Sequence, residues 1–311
     1  MVHLEQVEAY VPEARVPIEQ LGERLELNRY QIKLFQRIHG LHEICMDEEQ
    51  SLVSLLIKPL ARILMYAPNV VEHVRYLVYC HTIKTVTPYP INVLEEVKEE
   101  FGLQHALSFS LTQQNCSSGL VAMELADDLL RGDGDPEARV LILLGEKASH
   151  PTLQLIPNTT IMGEAAAALV VRAGVGKDEV VAIHRTISGQ YAAGINISAE
   201  SLRQFEQSYV PTLVKTIQLT LDKANLSLQE IEWILPHNVN LSSWTQVARA
   251  LSFPVEKIYL DNVSKLGHCF CADSFINYQD VVKQGMMRRG SYYLLVTVGL
   301  GAVFTVAVMR H

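Results

Sequence analysis

One cysteine and two histidines stand where strand ends and helix starts meet. Cys116 lies in QQNCSSGLVAMELADDLL (Gln113–Leu130), after the apolar stretch LSFSL (Leu107–Leu111) and at the start of an amphipathic helical pattern. A thiol at a helix N-terminus faces unpaired backbone N–H groups and the positive end of the helix dipole, both of which favour a thiolate. Ser117, Ser118 and Gly119 are small enough to let another group approach it. A buried cysteine packed like a small hydrophobe is the competing reading. His237 follows Pro236 at the end of WILPHNVN, and His268 sits in LGHCF. His81 ends a further apolar strand, YLVYCHT, where a pocket role and a structural one are both open.

These residues need a scaffold, and the chain reads as two similar halves, residues 1–173 and 174–311, with the break at GVGKD (Gly174–Asp178). The first half offers strands at His3–Pro12, Tyr76–Thr82, Leu107–Leu111, Arg139–Glu146 and in MGEAAAALVVRA. Helices are expected at Ile18–Leu27, Arg29–Ile38, Ser51–Tyr66, Ile91–Phe101 and after Cys116. Pro59 should kink or break the third of these. The second half offers strands at Val180–Gly189, Trp233–Asn240 and in KIYLD, helices at Gln204–Ala224 and Ser243–Leu251, and two closing strands. Alternating strands and helices predict mainly parallel sheets covered by helices. A repeat on this scale puts His268 at the position in the second half that Cys116 holds in the first. A pseudo-twofold axis would then bring Cys116, His237 and His268 together at the C-terminal ends of strands, where ligand sites form.

Bulk properties narrow the function. The chain has 311 residues, 49% hydrophobic and 19% charged, with a net charge of −8. That acidity argues against a nucleic-acid surface, which needs clustered Lys and Arg. No apolar run reaches the ~20 residues that span a bilayer, and the N-terminus lacks a signal-peptide pattern, so a cytoplasmic protein is expected. Five irregularly spaced cysteines (Cys45, Cys80, Cys116, Cys269, Cys271) suit a reducing compartment. Cys269 and Cys271 lack a second ligand pair, so no metal is expected.

The motifs NCSSG, MGEAAAA, PHNVN, LGHC and VGLGAVF, in this order across the chain, resemble the thiolase-fold condensing enzymes. The likeness is to β-ketoacyl-acyl-carrier-protein synthase III and its relatives in secondary metabolism. The resemblance implies an α/β, five-layered αβαβα fold of two pseudo-twofold-related halves. It implies an acyl group loaded on Cys116 and condensed with a malonyl-type thioester, His237 being the catalytic histidine and Asn240 completing its motif. Backbone N–H groups of Cys116 and of Gly301 or Ala302 would form the oxyanion hole. Tyr89 matches a loop aromatic at the family's dimer interface, or simply packs; Glu164 reads as structural. Acyl carrier protein or acyl-CoA would supply the thioester, with no cofactor. A homodimer is implied, its sheets joined edge to edge beside the Cys116 strand, a heterodimer with a homologue being the other option.

The sequence also departs from that pattern. His268 stands where the family has asparagine, giving a Cys–His–His set that is compatible with decarboxylative condensation and also with acyl transfer to a hydroxyl or amine. The family's adenine-binding contacts have no clear match near Gln31–Gly40 beyond Arg37, and Ser242 replaces an arginine, which favours a carrier-protein or another thioester donor over free coenzyme A. A non-catalytic partner subunit is the remaining alternative, opposed by the presence of both Cys116 and His237.

Overall fold

The computed structural model describes residues 1–194 and 197–311. Nine strands form the main sheet: β1 (Val2–Tyr10), β2 (Val74–Cys80), β3 (Leu107–Leu111), β4 (Arg139–Gly145), β5 (Ala166–Ala173), β6 (Glu179–Ile187), β7 (Ile231–Pro236), β8 (Tyr292–Gly299) and β9 (Val303–Arg310). The longer helices are α1 (Arg29–Arg37), α2 (Leu52–Tyr66), α3 (Val93–Phe101), α4 (Ser118–Asp133), α5 (Ala199–Ala224), α6 (Leu241–Leu251) and α7 (Asp273–Lys283). The strand order is β7-β8-β9-β6-β1-β5-β4-β2-β3. Outward from the β1–β6 junction, both sides therefore run first strand, last, next to last, second.

The expectation of mainly parallel sheets is corrected. Parallel pairing is confined to β2–β3, β2–β4 and β7–β8. The pairs β1–β5, β1–β6, β4–β5, β6–β9 and β8–β9 are antiparallel. The reason is that each half closes without a helical crossover, and only such a crossover returns a strand in parallel. A second correction concerns KIYLD, which makes one parallel bridge, Ile234 to Ile258, and no strand. A 3₁₀ turn over Val255–Lys257 leads into it and another turn follows, so too few residues stay extended for a ladder.

The layers follow from alternation along the strands. Val140, Ile142 and Leu144 of β4 point to one core, Leu141 and Leu143 to another. The first, central core joins both halves: it holds Leu120, Met123 and Ala126 of α4 with Phe275 and Ile276 of α7, between Leu144 on one side and Leu295 on the other. Outside it, Leu55, Leu60 and Val97 of α2 and α3 cover the first half. Leu213, Ile217, Trp244 and Val247 of α5 and α6 cover the second. The two halves of the sheet, joined through the His3–Glu179 pair, are the two sheet layers, so that helix, sheet half, helix, sheet half, helix make the five-layered thiolase-like arrangement.

Two helix expectations shift. Ile18–Leu27 is helical only as a 3₁₀ turn over Ile18–Leu21. Pro59 does not break α2, which runs unbroken from Leu52 to Tyr66. A helix-interior proline costs about 3 kcal/mol. Burying Leu55, Leu56, Leu60 and Ile63, at about 1.5–3 kcal/mol each, outweighs it.

Candidate active site

Cys116 sits in a single 3₁₀ turn, Asn115–Ser117, that feeds directly into α4. The turn is held from the second half: Ser117 Oγ donates to Val303 O at 3.0 Å, and the Asn115 side-chain amide donates to Leu300 O. Gly299 must be glycine here, because a Cβ would overlap the Gln114 carbonyl oxygen. At Gly119 a Cβ would have to displace the end of the Leu144 side chain and would crowd Phe275 of the facing helix. The small residues after the cysteine thus serve close packing in the central layer.

His268 is brought to Cys116 by the MGE motif. Gly163 N donates to His268 O and His268 N donates to Ile161 O, each at 3.1 Å. A Cβ on Gly163 would collide with the Leu266 carbonyl, and Gly267 takes a positive φ (+72°) with an extended ψ, a backbone conformation that needs glycine, just before the histidine. The result is His268 Nε2 at 3.2 Å from Cys116 Sγ, with both residues buried. His268 Nδ1 is bonded to the Asp273 carboxylate in the first turn of α7.

Asp273 is itself fully buried. It also accepts from Cys269 N at 2.7 Å, Asn238 N at 2.6 Å and Asn238 Nδ2 at 3.2 Å. Asn277 Nδ2 extends the network to Pro236 O and Asn238 Oδ1, at 2.8 and 2.9 Å. The PHNVN and LGHC loops are tied together through this one carboxylate.

His237 lies with its ring centroid 5.9 Å from that of His268. Its Nε2 is 3.0 Å from the Tyr209 hydroxyl on α5, and its Nδ1 is 3.4 Å from Val296 O. Burial, and then the charge of His268, push His237 down to about 3, so it is neutral. Burial would lower His268 too, but the charges of Asp273 and Cys116 outweigh it and hold His268 at about 10. The two imidazoles thus differ in charge: one cationic against the thiol, one neutral against a phenol.

Cys116, His237 and His268 share a cavity of about 150 Å³ with Tyr209, Phe205 and Leu202 of α5 and with Val298 and Leu300. The other expected site residues are placed elsewhere. Asn240 caps α6, accepting from Ser243 N at 2.8 Å and donating to Thr159 O at 3.1 Å, and is not in the cavity wall. His81 and Tyr89 line a separate open groove beside β3; Tyr89 is 98% exposed and His81 stacks on Tyr79. Ala302 N donates to Ser188 O at 3.3 Å, whereas Gly301 lies in the turn facing Asn115. Ser242 bonds His39 Nδ1 at 3.0 Å. Glu164 pairs with Lys147 at 3.0 Å.

Sequence reading missed Asp273 and Tyr209. Asp273 had a signal: it is the one charged residue in LGHCFCADSFI, and a carboxylate inside an apolar run needs a partner. Tyr209 had only the helical spacing it shares with Leu202, Phe205 and Glu206. Among the described residues, no group of three or more His, Cys, Asp or Glu side chains is arranged to hold a metal ion, and no helix is long and apolar enough to cross a membrane.

Residues 221–311 match the family described as 3-oxoacyl-[acyl-carrier-protein (ACP)] synthase III C terminal. The chain is 23% identical to the β-ketoacyl-[acyl-carrier-protein] synthase III of Aquifex aeolicus over 63% of its own length and 64% of the relative's. The Lactococcus lactis enzyme of the same name is 23% identical over 96% of this chain and 95% of that one. In structure, the Aquifex enzyme superposes with a TM-score of 0.84 at 17% identity, covering all of both chains. Xanthomonas campestris OleA, solved with lauric acid and lauroyl-CoA, gives 0.83 at 14% identity over 100% of this chain and 99% of that one. The fold is that of the thiolase-like proteins. Within that fold, the sequence is similar, at low identity, to the ketoacyl synthase III proteins.

Proposed function

We propose that the chain is an acyl-thioester condensing enzyme that carries its acyl group on Cys116 and joins it to a malonyl-type thioester borne by a carrier protein. The observation that carries this reading is the 3.2 Å approach of His268 Nε2 to Cys116 Sγ in a cavity that also contains His237. A cationic imidazole beside a cysteine supports the thiolate that attacks a thioester carbonyl. The backbone N–H groups of Cys116 and Gly301 are proposed as the oxyanion hole, Ala302 N being bonded to Ser188. Each such donor contributes about 3–4 kcal/mol in comparable acyl transfers. His237 is proposed to act on the second substrate.

A second reading is favoured by the neutral state of His237 and its 3.0 Å contact with Tyr209. A neutral imidazole is a base, and a base suits an acceptor that must lose a proton, such as a hydroxyl or amine. Product analysis separates the two. Incubation with an acyl thioester and malonyl carrier protein should release carbon dioxide and yield a new β-ketone. An ester or amide formed with added alcohols or amines, without carbon dioxide, would support the second reading and overturn the first.

Assembly is part of the proposal. β3 is an edge strand with Leu107 exposed, next to the Cys116 turn, and the proposed homodimer pairs the sheets there. The proposed boundary between the two halves is at residues 173 and 174, between the end of β5 at Ala173 and the start of β6 at Glu179.

A further inference from the structure

We propose that Asp273 is a positioning residue that commits His268 to Cys116, so that Cys116, His268 and Asp273 act as one nucleophilic triad in the loading step while His237 is left for the second substrate. The inference rests on the acyl-Cys116 reading and goes beyond it by dividing the two histidines between the half-reactions.

The geometry carries it. Both ring nitrogens of His268 are engaged, Nε2 with Cys116 Sγ at 3.2 Å and Nδ1 with the Asp273 carboxylate. A nucleophile held by an imidazole that is oriented by a third group is the arrangement that activates serine and cysteine in acyl transfer. Asp273 is fixed in turn by three N–H donors, Cys269 N, Asn238 N and Asn238 Nδ2, at 2.6–3.2 Å. A buried carboxylate with this many partners cannot swing, and so neither can the ring it holds. His237 bonds neither Cys116 nor Asp273; its Nε2 faces Tyr209.

In the loading step Cys116 Sγ, as a thiolate paired with the already protonated His268, attacks the thioester carbonyl carbon, forming a sulfur–carbon bond. The tetrahedral oxyanion collapses, the carbon–sulfur bond to the donor breaks, and the departing thiolate takes the proton from His268 as a free thiol. His268 ends neutral beside acyl-Cys116, and Asp273 stays a carboxylate throughout.

The titratable groups facing His268 are Cys116 from the turn before α4, Asp273 from α7, His237 from the loop after β7, and Glu146 at the end of β4. Asp273 holds the ring protonated to high pH, so removing its charge should move the alkaline limb of the loading rate to lower pH.

The experiment is single-turnover loading of the full chain with an acyl thioester, read by intact mass, for wild type, Asp273→Asn, His268→Gln and the double variant. Asp273→Asn should slow loading by about 10²–10⁴-fold, as loss of the orienting carboxylate does in other triads. It should add less than about threefold to His268→Gln, since groups acting as one unit are not additive. Thermal midpoints and far-UV circular dichroism report the fold of each variant. The proposal is overturned if Asp273→Asn loads within threefold of wild type, if its defect multiplies with that of His268→Gln, or if it only unfolds the chain. A wild-type chain that takes no acyl group defeats the Cys116 reading itself, a different result from a wild type that loads and a variant that loads equally well.

Discussion

The charge difference between the two imidazoles is the residue-level feature with the clearest consequences. His268 titrates at about 10 and His237 at about 3, although their ring centroids are 5.9 Å apart. Because His268 must be protonated when Cys116 attacks, loading should persist through neutral pH and decline only as pH approaches 10. A pH–rate profile of acyl-enzyme formation checks this; a decline centred near 6.5, the ordinary histidine value, would show that Asp273 does not hold the proton. Replacing Tyr209 by Phe removes the hydroxyl on His237 Nε2 and leaves the ring in place. The expected outcome is unimpaired loading with discharge of the acyl group slowed by about tenfold or more, read by chasing the loaded enzyme with its second substrate.

Elements set these residues in place through glycine and backbone contacts that leave no slack. Gly163 lets the strand leading to β5 press against the LGHC loop, where a Cβ would overlap Leu266 O. Gly163→Ala should lower stability by about 1–3 kcal/mol, as overpacking does, and slow loading because His268 hangs from Gly163 N and Ile161 O. Denaturant titration together with loading kinetics tests both halves of that statement. Here the sequence was most legible. Cys116 at the start of α4, His237 just past β7 and His268 ahead of α7 are all at the expected ends of elements, because strand and helix periodicity and the five short motifs mark those ends. What the sequence could not convey was which side chains meet across elements. Asp273 reaches His268 only once α7 is packed in the central layer, and Tyr209 reaches His237 only because α5 lies over β6 and β9. Asn240, His81 and Tyr89 carried the right residue types in the right motifs, yet their contacts lie outside the cavity. The mixed sheet was missed because hydrophobic runs report burial on both faces and say nothing of strand direction.

At the scale of the molecule, the five layers bring the PHNVN and LGHC loops together at the central pair of helices, and buried ionisable groups near that centre couple the fold to pH. Glu146, at the end of β4, is raised from 4.5 to about 8 by burial, against the N–H groups of Ile83 and Thr82 that favour its charged form. Its folded value lies above its unfolded one, so its contribution to stability is complete below 4.5 and is lost as pH rises through 8. His237 is the opposite case. Its contribution is complete above 6.5 and is lost as pH falls through 3. Stability should therefore fall on both sides of a mildly acidic maximum, and Glu146→Gln should make the alkaline side less steep up to pH 8 while leaving the fall that His268 adds as pH rises through 10, as measured by denaturation midpoints across pH. Acylation of Cys116 is the covalent event on which the proposed activity depends. Intact-mass analysis after incubation with a panel of acyl thioesters should show a single acyl adduct, mapped by peptide sequencing to Cys116 and absent from Cys116→Ala. No adduct across the panel, or an adduct that survives in Cys116→Ala, would contradict the assignment of Cys116 as the acyl carrier.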